Sequence, residues 1–217
     1  MLDFEKAAMN SVKRHFPHSQ ISGCLFHFGQ CMWRIIQAQG LASWYTESPK
    51  NAMLIKSLQV LAFVPLQDVS DTFEQFVSSL EKETDNIMGD FLTYFEATWI
   101  GNARRGRRRL PVFPQELWNV HERVLQNLPR TNNSIEGCHR AFDLQVAITY
   151  PTQCRFADRL RKEQASNKLI IDQANAGIAL PPMKKKYENI NQQQKDLVEK
   201  YDITPVLRFL RSIAHNL

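Results

Sequence analysis

The stretch Leu128-Pro129-Arg130-Thr131-Asn132-Asn133-Ser134-Ile135-Glu136-Gly137-Cys138-His139-Arg140-Ala141-Phe142 combines a breaker, three candidate helix caps and a charged cluster. Pro129 interrupts whatever precedes it. Asn132, Asn133 and Ser134 each carry a short side-chain oxygen that can accept a free N–H of a first helical turn. Glu136 then falls in or just after that turn, where negative charge is favoured by the helix dipole. His139 and Arg140 follow it by three and four positions, so the three can share one face. A carboxylate in this setting can hold a metal or a phosphate. The plainer reading is a capped helix, from 133 to about 147, with local ion pairs.

Downstream, Thr149-Tyr150-Pro151 breaks the pattern and Thr152 can cap a long helix over residues 153–175. Arg155, Arg159, Arg161 and Lys162 crowd its first half into a basic surface. Pro181 and Pro182 mark a linker, residues 183–198 are polar with few apolar anchors, and residues 203–213 read as a small terminal helix. Upstream lies Gly101-Asn-Ala-Arg-Arg-Gly-Arg-Arg-Arg109. Its arginines, Arg104, Arg105, Arg107, Arg108 and Arg109, cannot pack in a core. They stay solvated unless an anion meets them. The segment is a candidate nucleic-acid contact, with a solvated loop or a basic targeting signal as the alternatives.

Between the N-terminus and this segment the apolar residues recur at helical spacing. The expected helices span residues 3–16, 27–39, 49–63, 69–81 and 86–99, and a further one spans 115–125. Residues 42–47 read as a linker, and Met32, Trp33 and Ile36 as core positions. Residues 20–27 are short, β-branched and aromatic, and predict a buried strand. Within them Cys24 and His27 form a C-x-x-H pair. Two such ligands can reach one zinc ion, but a structural site takes four. Cys138 and His139 could complete a set; otherwise the pair is a buried Cys and a hydrogen-bonded His.

The chain has 217 residues, 43% hydrophobic, enough for a sizeable core. Thirteen Phe against eight Gly favour packed helices over loops. The net charge of +5 suits a nucleic-acid partner without requiring one. Four irregularly spaced Cys do not form a disulfide framework. No apolar run is long enough for a membrane span, and residues 1–6 lack a signal-peptide core.

Taken in order, Asp3-Phe-Glu-Lys-Ala-Ala8, Phe16-Pro17, Gly23-Cys-Leu-Phe-His-Phe-Gly-Gln30 and Arg130-Thr-Asn-Asn-Ser-Ile-Glu-Gly-Cys-His-Arg-Ala-Phe142 resemble the second half of a Mutator-like (MULE) transposase domain. This is the type found in animal proteins alongside FLYWCH zinc fingers. The likeness covers residues 1–165, with a helical insertion over about 41–128; residues 166–217 form a helical, polar C-terminal tail outside it.

The resemblance implies the C-terminal portion of an RNase H-like DDE core. That predicts a mainly α chain with at most one or two short strands, near residues 20–26 and Met1-Leu2. By position Asp3 is similar to the family's second catalytic Asp, Cys24 and His27 to its C-x-x-H element, and Glu136 to its final Glu. Such sites cleave and join DNA strands with two Mg²⁺ or Mn²⁺ ions about 3.5–4 Å apart between the carboxylates. Asp3 and Glu136 would be both catalytic and metal-binding. The arginine segment, with Arg155 and Arg159, would hold DNA phosphates, and the protein would act in the nucleus. Cys138 departs from the bulky aromatic expected at that position.

The family's first Asp has no counterpart before Asp3. The chain therefore reads as a truncated transposase-derived protein without strand-transfer activity of its own. The alternative is a repurposed helical module that binds DNA, a protein partner or a second copy of itself.

Overall fold

The computed structural model describes residues 1–104, 107–146, 152–178 and 185–217. The described chain is mainly helical. Its contacts divide it into two compact units, Met1–Thr131 with Asn189–Leu217, and Asn132–Glu188.

In the larger unit, α1 (Lys6–His15) and α2 (Leu25–Ala38) follow the expected periodicity. On α2, Phe28, Met32 and Ile36 recur at four-residue spacing and are buried. Trp33, expected in the core, is exposed and meets Tyr45 edge-on at 5.2 Å. It lies one position off that stripe, on a different helix face. Residues 42–47, expected as a linker, form the short helix α3 (Ala42–Glu47). α4 (Pro49–Val60) starts where Ser48 Oγ accepts the Asn51 N–H at 3.2 Å and Pro49 takes the first helical position. α5 (Val69–Ser78) buries Val69, Thr72, Phe73 and Phe76. α6 (Lys82–Phe95) buries Met88, Phe91, Leu92 and Phe95, one helical stripe facing the core.

After α6 the backbone widens into a π-turn over Glu96–Ile100 and stops at Gly101, whose φ is +94°. A side chain there would also run into the Arg109 carbonyl, so glycine closes the base of the arginine segment. That segment makes a two-residue antiparallel ladder, β1 (Ala103–Arg104) with β2 (Arg107–Arg108). The other strand-like feature among the described residues is a parallel bridge between Leu2 and Gly23.

The helix expected over residues 115–125 is split into α7 (Gln115–Trp118) and α8 (His121–Leu125). The reason lies in residues 61–64, Leu-Ala-Phe-Val, which are wholly buried. Their carbonyls need donors where water cannot reach. Val120 N–H donates to Ala62 at 2.7 Å, Asn119 Nδ2 to Val64 at 2.8 Å, and His121 Nδ1 lies 2.8 Å from the Phe63 carbonyl. An unbroken helix would turn these donors away.

An aromatic cluster fills the centre. Phe28 stacks on Trp118 at 5.0 Å, Trp99 on Phe113 at 5.0 Å, and Phe73 on Phe95 at 5.7 Å. The end of the chain belongs to this core. α11 (Lys185–Val198) contributes Gln194 and Val198, and α12 (Val206–Ala214) packs on α4 and buries Phe209, Leu210, Ile213 and Ala214. Only part of the segment expected as a polar tail is therefore polar and exposed.

The smaller unit holds α9 (Asn133–Val146) and α10 (Gln153–Asn175), packed on each other through Phe142 and Phe156, whose rings meet edge-on at 5.7 Å. Thr152 caps α10 as expected, its Oγ1 accepting the Arg155 N–H at 3.4 Å. Among the described residues, no helix is long and apolar enough to cross a membrane.

Candidate functional site

Asp3 is held between two anchors. On one side Leu2 donates its N–H to Ser22 at 2.9 Å and accepts from Cys24 at 3.0 Å, which makes the parallel bridge. On the other, the Phe4 ring meets Trp99 edge-on at 4.9 Å and Phe113 at 5.3 Å. Phe4 also lies against Gly23, where a Cβ would collide with the ring. Successive side chains on extended backbone alternate in direction. With Phe4 drawn into the core, Asp3 is left at the surface, its side chain 54% exposed.

There it meets His27, in the first turn of α2, with 3.0 Å between Oδ1 and Nδ1. Asp3 and His27, which belong to two of the motifs that carry the resemblance, are thus in contact. They line a cleft of about 380 Å³ with Glu5, Gln30, Cys31 and Arg34. Gln30, Cys31 and Arg34 follow His27 by three, four and seven positions, so α2 presents them on one face. Burial pushes the Cys31 thiol above its ordinary pKa; Arg34 opposes this and Asp3 adds to it. Cys31 is consequently a protonated thiol at neutral pH.

Cys24 is fully buried, with its backbone amide in the bridge to Leu2. Among the described residues, no three His, Cys, Asp or Glu side chains form a group that could hold a metal ion. The side chains of Cys138 and His139, considered for a zinc set, lie outside the described ones. Hard divalent ions such as Mg²⁺ take about six oxygen ligands. The cleft is lined by two carboxylates, those of Asp3 and Glu5, and Asp3 already faces an imidazole, so among the described residues they do not make up a metal-binding group of three.

Glu136 belongs to the smaller unit. It stands in the first turn of α9, half-buried, and its N–H donates to the Asn132 carbonyl at 3.1 Å. Of the arginines, Arg109 is exposed, and its N–H donates to Asn102 at 2.8 Å across the base of the hairpin. Arg105 lies outside the described residues, as do the side chains of Arg104, Arg107 and Arg108. On α10, Arg155 is exposed and Arg159 half-buried. Lys162 pairs with Asp158 at 2.9 Å and holds that carboxyl below its usual range.

Sequence reasoning missed two parts of this picture. Helical spacing from His27 would have found Gln30, Cys31 and Arg34. No local signal marks Arg130, whose partners Asn191 and Gln194 stand on α11. Comparison with known proteins finds no family model that matches the chain, and no curated protein or solved structure that matches it.

Proposed function

We propose that the chain derives from the catalytic domain of a Mutator-like transposase, with an RNase H-like ancestry, and that by itself it binds DNA in the nucleus without cutting it. The observation that supports this reading is the Asp3–His27 contact at 3.0 Å. The two residues belong to separate motifs of the resemblance, and they meet beside the parallel bridge between Leu2 and Gly23. In this reading Asp3 and Glu136 are the second and third carboxylates of a site that works with three.

DNA contact rests on the arginines. Residues 104–109 carry five within six positions, and Arg104, Arg107 and Arg108 stand on the paired strands β1 and β2. Guanidinium groups at phosphates release counterions, so affinity should fall steeply with salt and depend little on sequence. Binding of duplex DNA, followed by mobility shift across a salt series, tests this. Replacing Arg104, Arg105, Arg107, Arg108 and Arg109 by Ala should weaken binding and flatten the salt slope by about 0.9 for each phosphate that is no longer neutralised. Unchanged affinity and slope would remove the hairpin from the interface. Incubation of supercoiled DNA with Mg²⁺ or Mn²⁺ should give no nicking; nicking abolished by Glu136→Ala would overturn the non-catalytic part.

A second reading is a module that docks a protein or a second copy of itself. It is favoured by the exposure of Phe156, Leu160, Leu169 and Ile170 on α10. Sedimentation of the purified chain, in which a concentration-dependent mass would appear, separates it from the first.

A further inference from the structure

Arg130 is an unusual cation. Burial depresses its pKa from the ordinary arginine value. A half-buried guanidinium that gives up part of its water normally finds a carboxylate. Arg130 finds two neutral amides instead: Nη1 donates to Gln194 Oε1 and Nη2 to Asn191 Oδ1. These two bonds use two of its five N–H donors, and both partners are neutral.

The group is also firmly placed. Gln194 is 4% exposed and donates its own Nε2 to the Asn216 carbonyl at 2.9 Å. On its backbone side, the Arg130 carbonyl accepts the Leu25 N–H at 2.9 Å, at the start of the helix that carries His27. The side chain is thus fixed at both ends, by α2 through its backbone and by the C-terminal segment through its guanidinium. Amide oxygens orient a guanidinium while leaving its charge uncompensated. A carboxylate in their place would orient it equally well and cancel that charge. A planar fork of donors, held rigid and carrying net charge, matches the geometry of a phosphate or other oxyanion.

We propose that Arg130 is an oxyanion-binding residue, positioned by Asn191 and Gln194, and that the oxyanion it takes is a phosphate. That the phosphate belongs to a DNA backbone rests on the function proposed above; the anion site itself does not. The C-terminal segment acquires a role by this route: it orients a binding group that lies far away in sequence.

The test is Asn191→Asp, a nearly isosteric change that supplies the missing carboxylate. Two probes are used on the full chain, inorganic pyrophosphate and a short DNA duplex. Pyrophosphate binding is read from the Arg130 Nε–Hε resonance, and duplex binding from the salt slope. In the wild type, pyrophosphate should shift the resonance. In Asn191→Asp the shift should disappear while the thermal midpoint stays level or rises, and the duplex salt slope should fall by about 0.9, the value for one phosphate. Arg130→Gln should lose the same slope.

A merely structural Arg130 predicts the opposite: Asn191→Asp would leave both probes unaffected. That result, or a wild-type resonance indifferent to pyrophosphate, overturns the proposal. A pyrophosphate response without duplex binding would sustain the anion site and sink the DNA reading. Duplex binding unaffected by Asn191→Asp would sink Arg130's part in it and leave that reading standing.

Discussion

Gly23 shows how one missing side chain shapes the candidate site. Its backbone pairs with Leu2, its N–H donates to Leu117 at 2.6 Å, and its open face receives the Phe4 ring. Gly23→Ala puts a methyl group into that ring and should cost about 1–3 kcal/mol, as overpacked cores do. Urea unfolding checks this; a midpoint equal to wild type would show that Phe4 moves aside at no cost. The Asp3–His27 pair contributes less to stability, because Asp3 is half in solvent and exposed pairs are worth little. Its importance is positional. Cys31 offers a second check on the cleft. Burial favours the neutral thiol and raises its pKa, so less thiolate is present at any given pH than in an ordinary cysteine. At mildly alkaline pH iodoacetamide should label exposed Cys154 well before Cys31, and the Cys31 rate should climb as pH rises further. Peptide mass mapping reads both. Equal rates would mean that the cleft is open enough to hydrate the thiol.

At the scale of elements, the break between α7 and α8 is the most informative departure from periodicity. Leu117, Trp118, Val120, His121 and Val124 support a helix over 115–125, and a helix is what the local pattern predicts. The buried carbonyls of residues 62–64 override it by drawing in Asn119, Val120 and His121 as partners. Asn119 does two things at once, donating to Val64 and accepting the His121 N–H at 3.0 Å. Asn119→Ala leaves both groups unmatched and should destabilise the chain by about 1–3 kcal/mol per buried group left without a partner. Thermal unfolding measures the loss; a shift within error would show that water replaces the amide. The arginine hairpin is an element of another kind. Its charge pattern is plain in the sequence, whereas its closure depends on Gly101 accepting a positive φ beside the Arg109 carbonyl.

For the whole molecule, the two units differ in what stabilises them. The larger one buries an aromatic cluster and brings the chain's end back to it, with Phe209 and Ile213 fully enclosed. In the smaller one, α10 has no buried residue along its 23 positions. Helices with little apolar burial open locally at low free energy. Hydrogen exchange should therefore be fast across α10 and slow across residues 55–64. Protection of α10 comparable to that of α4 would mean that its exposed apolar residues are covered in solution, which favours the docking reading over the first.

The sequence by itself determined a great deal that is local. Helical spacing placed most of the helices and Thr152 marked one start, whereas the strand expected over residues 20–27 shrinks to a one-residue bridge at Gly23, because Leu25, Phe26 and His27 already belong to α2. The motifs also singled out Asp3 and His27, which the fold brings within 3.0 Å. Tertiary structure decided the rest, because the deciding interactions join residues far apart in the chain. Residues 61–64 broke a helix more than fifty positions later, a polar-looking tail delivered Phe209 and Ile213 to the core, and Asn191 and Gln194 reached back to Arg130. Periodicity reports which face of a segment prefers to be buried; it carries no record of which buried carbonyl or guanidinium elsewhere needs a partner.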